Sequence, residues 1–259
     1  MYRGVAFTLA LLSLYSAAFA AHKCPLPDEQ AAQITARGRL LAEYDQAAWH
    51  ATDALLATNP EKQAAPLYVA QKTSTGWTVA FGRFNDARDK FLIVYEATQG
   101  PSPQQFSVKH FEPPEEDSGF FLFAARAIGI ALRDFHGENR PYNTMVLPLA
   151  SGQMYVYVVP AQTGSSVYPL GGDSRYLISA DGNTIIETRP LHKTIIERSL
   201  SAPATIRVTG RYHTHVLSDV PEDTDVFFVL SEHPSFPEYI GTKKQIYVIG
   251  SDGSVACAK

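Results

Sequence analysis

From residue 144 onward the chain runs in short apolar or alternating segments, each closed by a turn signal. That pattern commits the second half to antiparallel β structure. Thr144–Leu149 and Met154–Pro160 flank Ala150-Ser151-Gly152-Gln153. Arg175–Ser179 and Thr184–Arg189 flank Ala180-Asp181-Gly182-Asn183, whose Asp-Gly pair is a strong hairpin signal. Gln245–Ile249 and Val255–Cys257 flank Ser251-Asp252-Gly253-Ser254. Gly171-Gly172-Asp173 is too short to cradle a phosphate and reads as a turn.

Before residue 144 the reading is helix, meander, helix. Apolar residues recur near helical spacing from Pro27 to Leu56, and Asn59-Pro60 stops the run. Leu67–Lys72, Gly76–Arg83 and Phe91–Ala97 read as strands, with Ser107–Phe111 as a fourth. The aromatics Trp49, Tyr68, Trp77, Phe81, Phe91 and Tyr95 are expected in the core. Pro113-Pro114-Glu115-Glu116-Asp117-Ser118-Gly119 combines breakers with acids suited to the first turn of a following helix. It divides an α+β module over residues 21–112 from a second domain over residues 118–259. Phe120–Phe135 is apolar on nearly every side and predicts a buried helix. The fold class is α+β: an N-terminal helix with an antiparallel meander, then a mixed sheet with a buried helix and an inserted hairpin near residues 170–195.

Residues 1–20 have the form of a signal peptide. Arg3 is the basic n-region, Val5–Leu14 the apolar stretch, and Ala18-Phe19-Ala20 the small-x-small cleavage pattern. The stretch is short for a membrane span; an uncleaved anchor is the alternative. The expected location is secreted or periplasmic. The formal charge of −4 and the lack of basic clusters with interleaved aromatics argue against nucleic acid as a partner. Cys24 and Cys257 are the only cysteines. In an exported chain that even count suggests a disulfide, the alternative being two free thiols.

Chemistry concentrates at Tyr212-His213-Thr214-His215, followed by Pro221-Glu222-Asp223-Thr224-Asp225. Ala204–Tyr212 alternates like a strand, so the two histidines at its end share a side. A carboxylate from the next loop then completes a three-ligand face for zinc, leaving a fourth position for water. With a helix ending at His136-Gly137 and a strand opening near Asn143, these motifs resemble the JAB/MPN (JAMM) metallopeptidase domain, including JAB-like domains of secreted bacterial proteins. The resemblance covers residues from about 118 to 259. It implies Zn2+ on His213, His215 and Asp225, with Asp223 in reserve, and hydrolysis of a peptide or isopeptide bond in a protein substrate or partner.

Two positions depart from that family. Its catalytic Glu falls on Asn143, which has no titratable group to act as a base. Its oxyanion-stabilising Ser is Glu222, whose negative charge would repel an oxyanion. Glu138 or Glu222 are the candidate replacement bases. Two readings therefore stand: a divergent zinc-dependent hydrolase, or a binding or structural protein on the same fold without catalysis. Other motifs fit less well. A cupin wants Glu where Asp219-Val220 stand. A 2H phosphoesterase finds one half-motif in His192-Lys193-Thr194, and no G-x-S-x-G nucleophile elbow occurs.

Overall fold

The computed structural model describes residues 24–61, 63–199 and 207–258. The leader lies outside the described residues, as do residues 204–206 of the expected strand before His213. No helix among the described residues is long and apolar enough to cross a membrane. The class is α+β, as the pattern of segments predicts.

Helix α1 (Asp28–Ala57) buries Ile34, Leu41, Tyr44, Ala48, Ala51 and Leu55, which recur every three or four residues along one stripe. Asp28 and Glu29 in its first turn suit the positive end of the helix. The meander follows: β1 (Leu67–Thr73), β2 (Gly76–Phe84), β3 (Phe91–Gln99) and β4 (Phe106–Asp117), all antiparallel and in sequence order. Trp77, Phe81, Phe91 and Tyr95 are buried, but Trp49 is 54% exposed and stacks on His50 instead of entering the core. The Pro113–Asp117 segment is not a break, because β4 runs through it. As the outer strand of the sheet, β4 accepts prolines that a central strand would not. Asp117 still serves the next helix, its Oδ2 accepting from the backbone N–H groups of Gly119 and Leu122.

Helix α2 (Phe120–Asp134) leads into β5 (Tyr142–Pro148) and β6 (Met154–Pro160). The latter pairs with β8 (Ser174–Ile178), and β8 with β9 (Ile185–Pro190). The hairpin turns at Gly152 and Gly182 form where the sequence signals them, each glycine at positive φ. Strand alternation assigns the faces of both sheets. Val69, Ala80, Phe91 and Ile93 of the meander share a core with α2 and with Val146, Val156, Val158 and Tyr176. Their neighbours Ala70, Val79, Phe81 and Val94 share another with α1 and with Met145, Leu147, Tyr157 and Val159. Both cores thus draw on residues from either side of Pro113.

The remaining elements assemble around α3 (Asp223–Ser231). β7 (Val167–Gly171) pairs with β10 (Ile195–Ser199). β11 (Arg211–Thr214) is shorter than expected, residues 207–210 being irregular, and it pairs in parallel with β12 (Glu238–Gly241). β13 (Ile246–Ile249) and β14 (Val255–Cys257) complete that sheet. The parallel pair is connected through α3, the kind of crossover that parallel strands require. α1 crosses α3 at Gly38, where an added Cβ would stand 2.4 Å from Val226 Cβ and 2.6 Å from the Asp223 carbonyl oxygen. Cys24 and Cys257 form a disulfide with Cα atoms 5.7 Å apart, beside a small core of Leu26, Ile34, Val226, Val229 and Ile240.

Candidate metal centre

Strand alternation brings His213 and His215 together as expected. Thr214 between them is exposed, both rings are 5% exposed, and their Nε2 atoms lie 3.2 Å apart. The last pairing, from the His215 N–H to the Gly241 carbonyl, keeps the second histidine in register beyond the end of β11.

Asp225 arrives from the first turn of α3. Glu222 is the N-cap, and the two acids form a reciprocal capping box. The Glu222 N–H donates to Asp225 Oδ2 at 2.6 Å; Oδ1 faces all three histidines, His192 among them, and Oδ2 also lies 3.2 Å from His215 Nε2. Oδ1 lies 3.0 Å from His213 Nε2 and 3.3 Å from His215 Nε2. Asp223 is not a ligand. Its carboxylate accepts from Arg37 of α1, Arg175 of β8 and Tyr157 of β6 at 2.6–2.9 Å, so three elements hold the start of α3 in place.

The structure adds His192, from the loop between β9 and β10. Its Nε2 lies 2.9 Å from His215 Nε2 and 3.0 Å from Asp225 Oδ1. All four coordinating atoms fall within 4.8 Å of one another. His192 lies 21 residues before His213 in the chain, beyond any short ligand spacing; its sequence signal was the His192-Lys193-Thr194 half-motif, which pointed elsewhere. The loop reaches the site because of two glycines. A Cβ on Gly171 would stand 2.4 Å from the Thr194 carbonyl oxygen, and one on Gly172 would stand 2.4 Å from Ile195 Cγ1. Both glycines have positive φ, and their turn delivers Asp173 directly against His192.

The outer nitrogens decide what this cluster is. His192 Nδ1 lies 2.6 Å from Asp173 Oδ1, His213 Nδ1 lies 2.7 Å from Glu238 Oε1, and His215 Nδ1 lies 3.0 Å from the Val220 carbonyl oxygen. A carboxylate or carbonyl oxygen only accepts, so each Nδ1 carries a proton, and with a cation at the centre each ring would be neutral and turn an Nε2 lone pair inward. Five of the six separations among the three Nε2 atoms and Asp225 Oδ1 are 2.9–3.3 Å, and all six lie within 4.8 Å. Tetrahedral ligands about 2.0–2.1 Å from a zinc-sized ion would be about 3.3 Å apart. Outer-nitrogen contacts of this kind are what metal-binding histidines ordinarily make. The four residues fit a metal ion.

Without a cation the cluster is electrostatically incomplete. Burial works against a charged His213, but hydrogen bonds with Asp225 and Glu238 prevail and push it up to about 9. His192 is likewise driven well above the ordinary range: Asp173 and Asp225 outweigh its burial. Burial opposes ionisation of Asp225, yet His192 and His215 hold its carboxyl well below the usual range. Positive charge is therefore demanded here, as metal or as protons.

The expected catalytic residues are arranged otherwise. Asn143 hydrogen-bonds to Asp45 of α1, within the core region. Glu138 is exposed, and among the described residues no hydrogen bond joins its carboxylate to the cluster. Glu222 is buried and pairs with Arg189 at 2.6 Å. Burial pushes its carboxyl up to about 7, against the pull of Arg189. Comparison of the chain with models of protein families, with curated proteins and with solved structures gives no match.

Proposed function

We propose that this is an exported metal-binding protein, related in architecture to JAB-type domains, whose Zn2+-class ion is structural and whose hydrolytic chemistry has been lost. The observation that carries this reading is His192. Catalytic zinc sites keep one position for water, whereas structural sites are closed by four protein ligands. His192 would supply that fourth protein ligand in place of a water. Three imidazoles and one carboxylate suit Zn2+ among the common divalent ions. Asn143 reinforces the reading, since it is bonded to Asp45 rather than directed at the cluster. The disulfide accords with an oxidising destination. What the protein binds would then be a protein or peptide partner.

The test is metal content and coordination of the purified mature protein. One ion per chain is expected, with a cobalt-substituted spectrum of four-coordinate N3O type that does not respond to added azide or other anions. An exchangeable water position would overturn the closed-site reading.

A second reading, a divergent hydrolase, draws on Glu222, because a buried carboxyl near 7 is suited to proton transfer at neutral pH. It requires metal-dependent turnover of peptide or isopeptide substrates that falls by about 10²–10⁴ in Glu222→Gln. Absence of turnover in metal-loaded protein removes it.

A further inference from the structure

The strand that turns His213 inward turns Tyr212 and Thr214 the other way. Alternation and register carry that division across the whole sheet of β11, β12, β13 and β14. His213, Ile240, Tyr247 and Ile249 lie on the face toward α3 and are buried. Tyr212, Thr214, Tyr239, Ile246, Val248 and Ala256 lie on the other. That face is open: Tyr212 is 59% exposed, Tyr239 is 42% exposed, and Ile246 is exposed beside them. None of these residues is charged.

Two glycines set how the tyrosines lie. Tyr212 stands in register with Tyr239. An added Cβ on Gly241, further along β12, would stand 2.3 Å from the Tyr212 hydroxyl oxygen and 3.0 Å from its Cζ. One on Gly210, just before β11, would stand 3.3 Å from Tyr239 Cε2 and 3.7 Å from its Cδ2. Each ring therefore leans across the neighbouring strand onto bare backbone, instead of standing up from the sheet. The two lean in opposite directions, toward glycines that the register sets four residue steps apart, about 13 Å along the strands. The result is a pair of aromatic faces turned the same way, with no upright wall between them.

Shape and charge decide what such a surface takes. An uncharged face carries no counter-charge for an acidic or a basic ligand. A polyproline segment needs an aromatic-lined groove, and rings that lie down make none. A pyranose ring instead presents a flat face of C–H bonds, which meets the negative face of an aromatic ring. Two such rings, set apart on one flat face, suit units of an extended β-1,4-linked chain and not the coil of an α-1,4-linked one. Thr214, exposed beside Tyr212, adds a hydroxyl for the sugar rim. Ile246, in register with Gly241, adds an apolar contact next to the Tyr212 ring, where an acetamido methyl group would lie. We propose that the outer face of this sheet binds a β-1,4-linked chain of N-acetylhexosamine, with sugar rings stacked on Tyr212 and Tyr239. The site shares β11 with the metal centre but none of its ligands, and it is additional to the partner proposed for the metal-bearing fold.

Titration calorimetry with chitohexaose, cellohexaose and maltohexaose tests it. Saturable binding is expected for chitohexaose, weaker binding for cellohexaose and none for maltohexaose. Tyr212→Ala and Tyr239→Ala should each weaken chitohexaose binding about two- to tenfold, the usual contribution of one aromatic stacking contact. Tyr212→Phe and Tyr239→Phe should retain most of it, because stacking needs the ring. Gly241→Val keeps both rings but pushes the exposed tip of Tyr212 off the sheet, and should weaken binding as Tyr212→Ala does. Thermal unfolding checks that each variant is folded, and zinc uptake should be unchanged in all of them. No saturable binding of chitohexaose by the wild type, unchanged affinity in a folded Tyr212→Ala/Tyr239→Ala double variant, or equal affinity for maltohexaose would overturn the proposal. Equal affinity for cellohexaose would overturn the acetamido contact at Ile246. A wild-type dimer that dissociates in Tyr212→Ala, followed by sedimentation, would overturn the glycan reading and assign the face to a second copy of the chain.

Discussion

Replacing His192 with alanine separates a closed metal site from an open one. His192 contributes one of four convergent coordinating atoms. Structural zinc sites bind with apparent free energies of about 10–16 kcal/mol. An equal share of that for His192 is about 3 kcal/mol, or roughly a hundredfold in affinity. With free zinc at about 1,000 times the wild-type dissociation constant, the ion stabilises the wild type by about 4 kcal/mol and the variant by about 1.4 kcal/mol. The difference lowers the zinc-loaded Tm by about 5–10 °C for a chain of this size. The assay is thermal unfolding of both proteins, with zinc and with a chelator. Chelation should narrow the gap without closing it, because His192 keeps its contacts with Asp173 and Asp225 and its packing against Phe228. In the cobalt-substituted variant an anion-sensitive spectrum should appear as water enters the fourth position. A Tm gap that is equally large in chelator, or an unchanged zinc affinity, would refute ligation by His192.

Proton competition gives a pH signature. In the metal-free protein His213 is raised to about 9, so its protonation stabilises that state fully below the ordinary histidine value and is lost as pH rises through about 9. Metal binding needs the neutral rings and strengthens in the same interval, so the Tm drop caused by a chelator should grow from pH 6.5 to pH 9, and a drop independent of pH counts against the cluster as the ion's site. Asn143→Glu should not create a catalytic base: Asp45 is pushed up to about 6 by burial and held down by the Asn143 hydrogen bond. A second carboxylate there should cost about 1–3 kcal/mol in denaturant unfolding and add no hydrolysis. Gly38→Ala should destabilise by about 1–3 kcal/mol despite its better helix propensity, because the new methyl group enters Val226; a gain measured by urea unfolding would show that α1 can retreat from α3.

What the sequence made legible follows the range over which each signal acts. Asp181-Gly182 and the Ser151-Gly152 turn are local chemistry, and their hairpins formed where the dipeptides stand. His213 and His215 were legible as a pair because strand alternation is a two-residue rule, and Asp225 because its return loop is short. His192 was not, because its arrival depends on glycines 171 and 172 fitting beneath a loop more than twenty residues further on. The proline-rich segment at 113–117 misled for a related reason: its residues look like a break, and only an outer position in a sheet makes them compatible with a strand. Trp49 was expected inside on size alone, while its place on α1 turns it outward. The short strands β7, β10 and β12 carry too few residues for alternation to stand out from the surrounding loops.

The distribution of ligands along the chain bears on the order in which the protein acquires its shape. Three of them, His213, His215 and Asp225, belong to the single crossover β11–α3–β12, while the fourth comes from an earlier loop. An ion captured by those three closes a loop of about a dozen residues, for which the entropic cost is small. It can therefore hold the crossover together before the upstream hairpins have found their partners. His192 joins last, when the β9–β10 loop docks, and its arrival reports that the two parts of the chain have met. Followed in time after dilution from denaturant, cobalt bound to this chain should pass through a three-ligand spectrum before the four-ligand one, making the ion a recorder of assembly as well as a component of it.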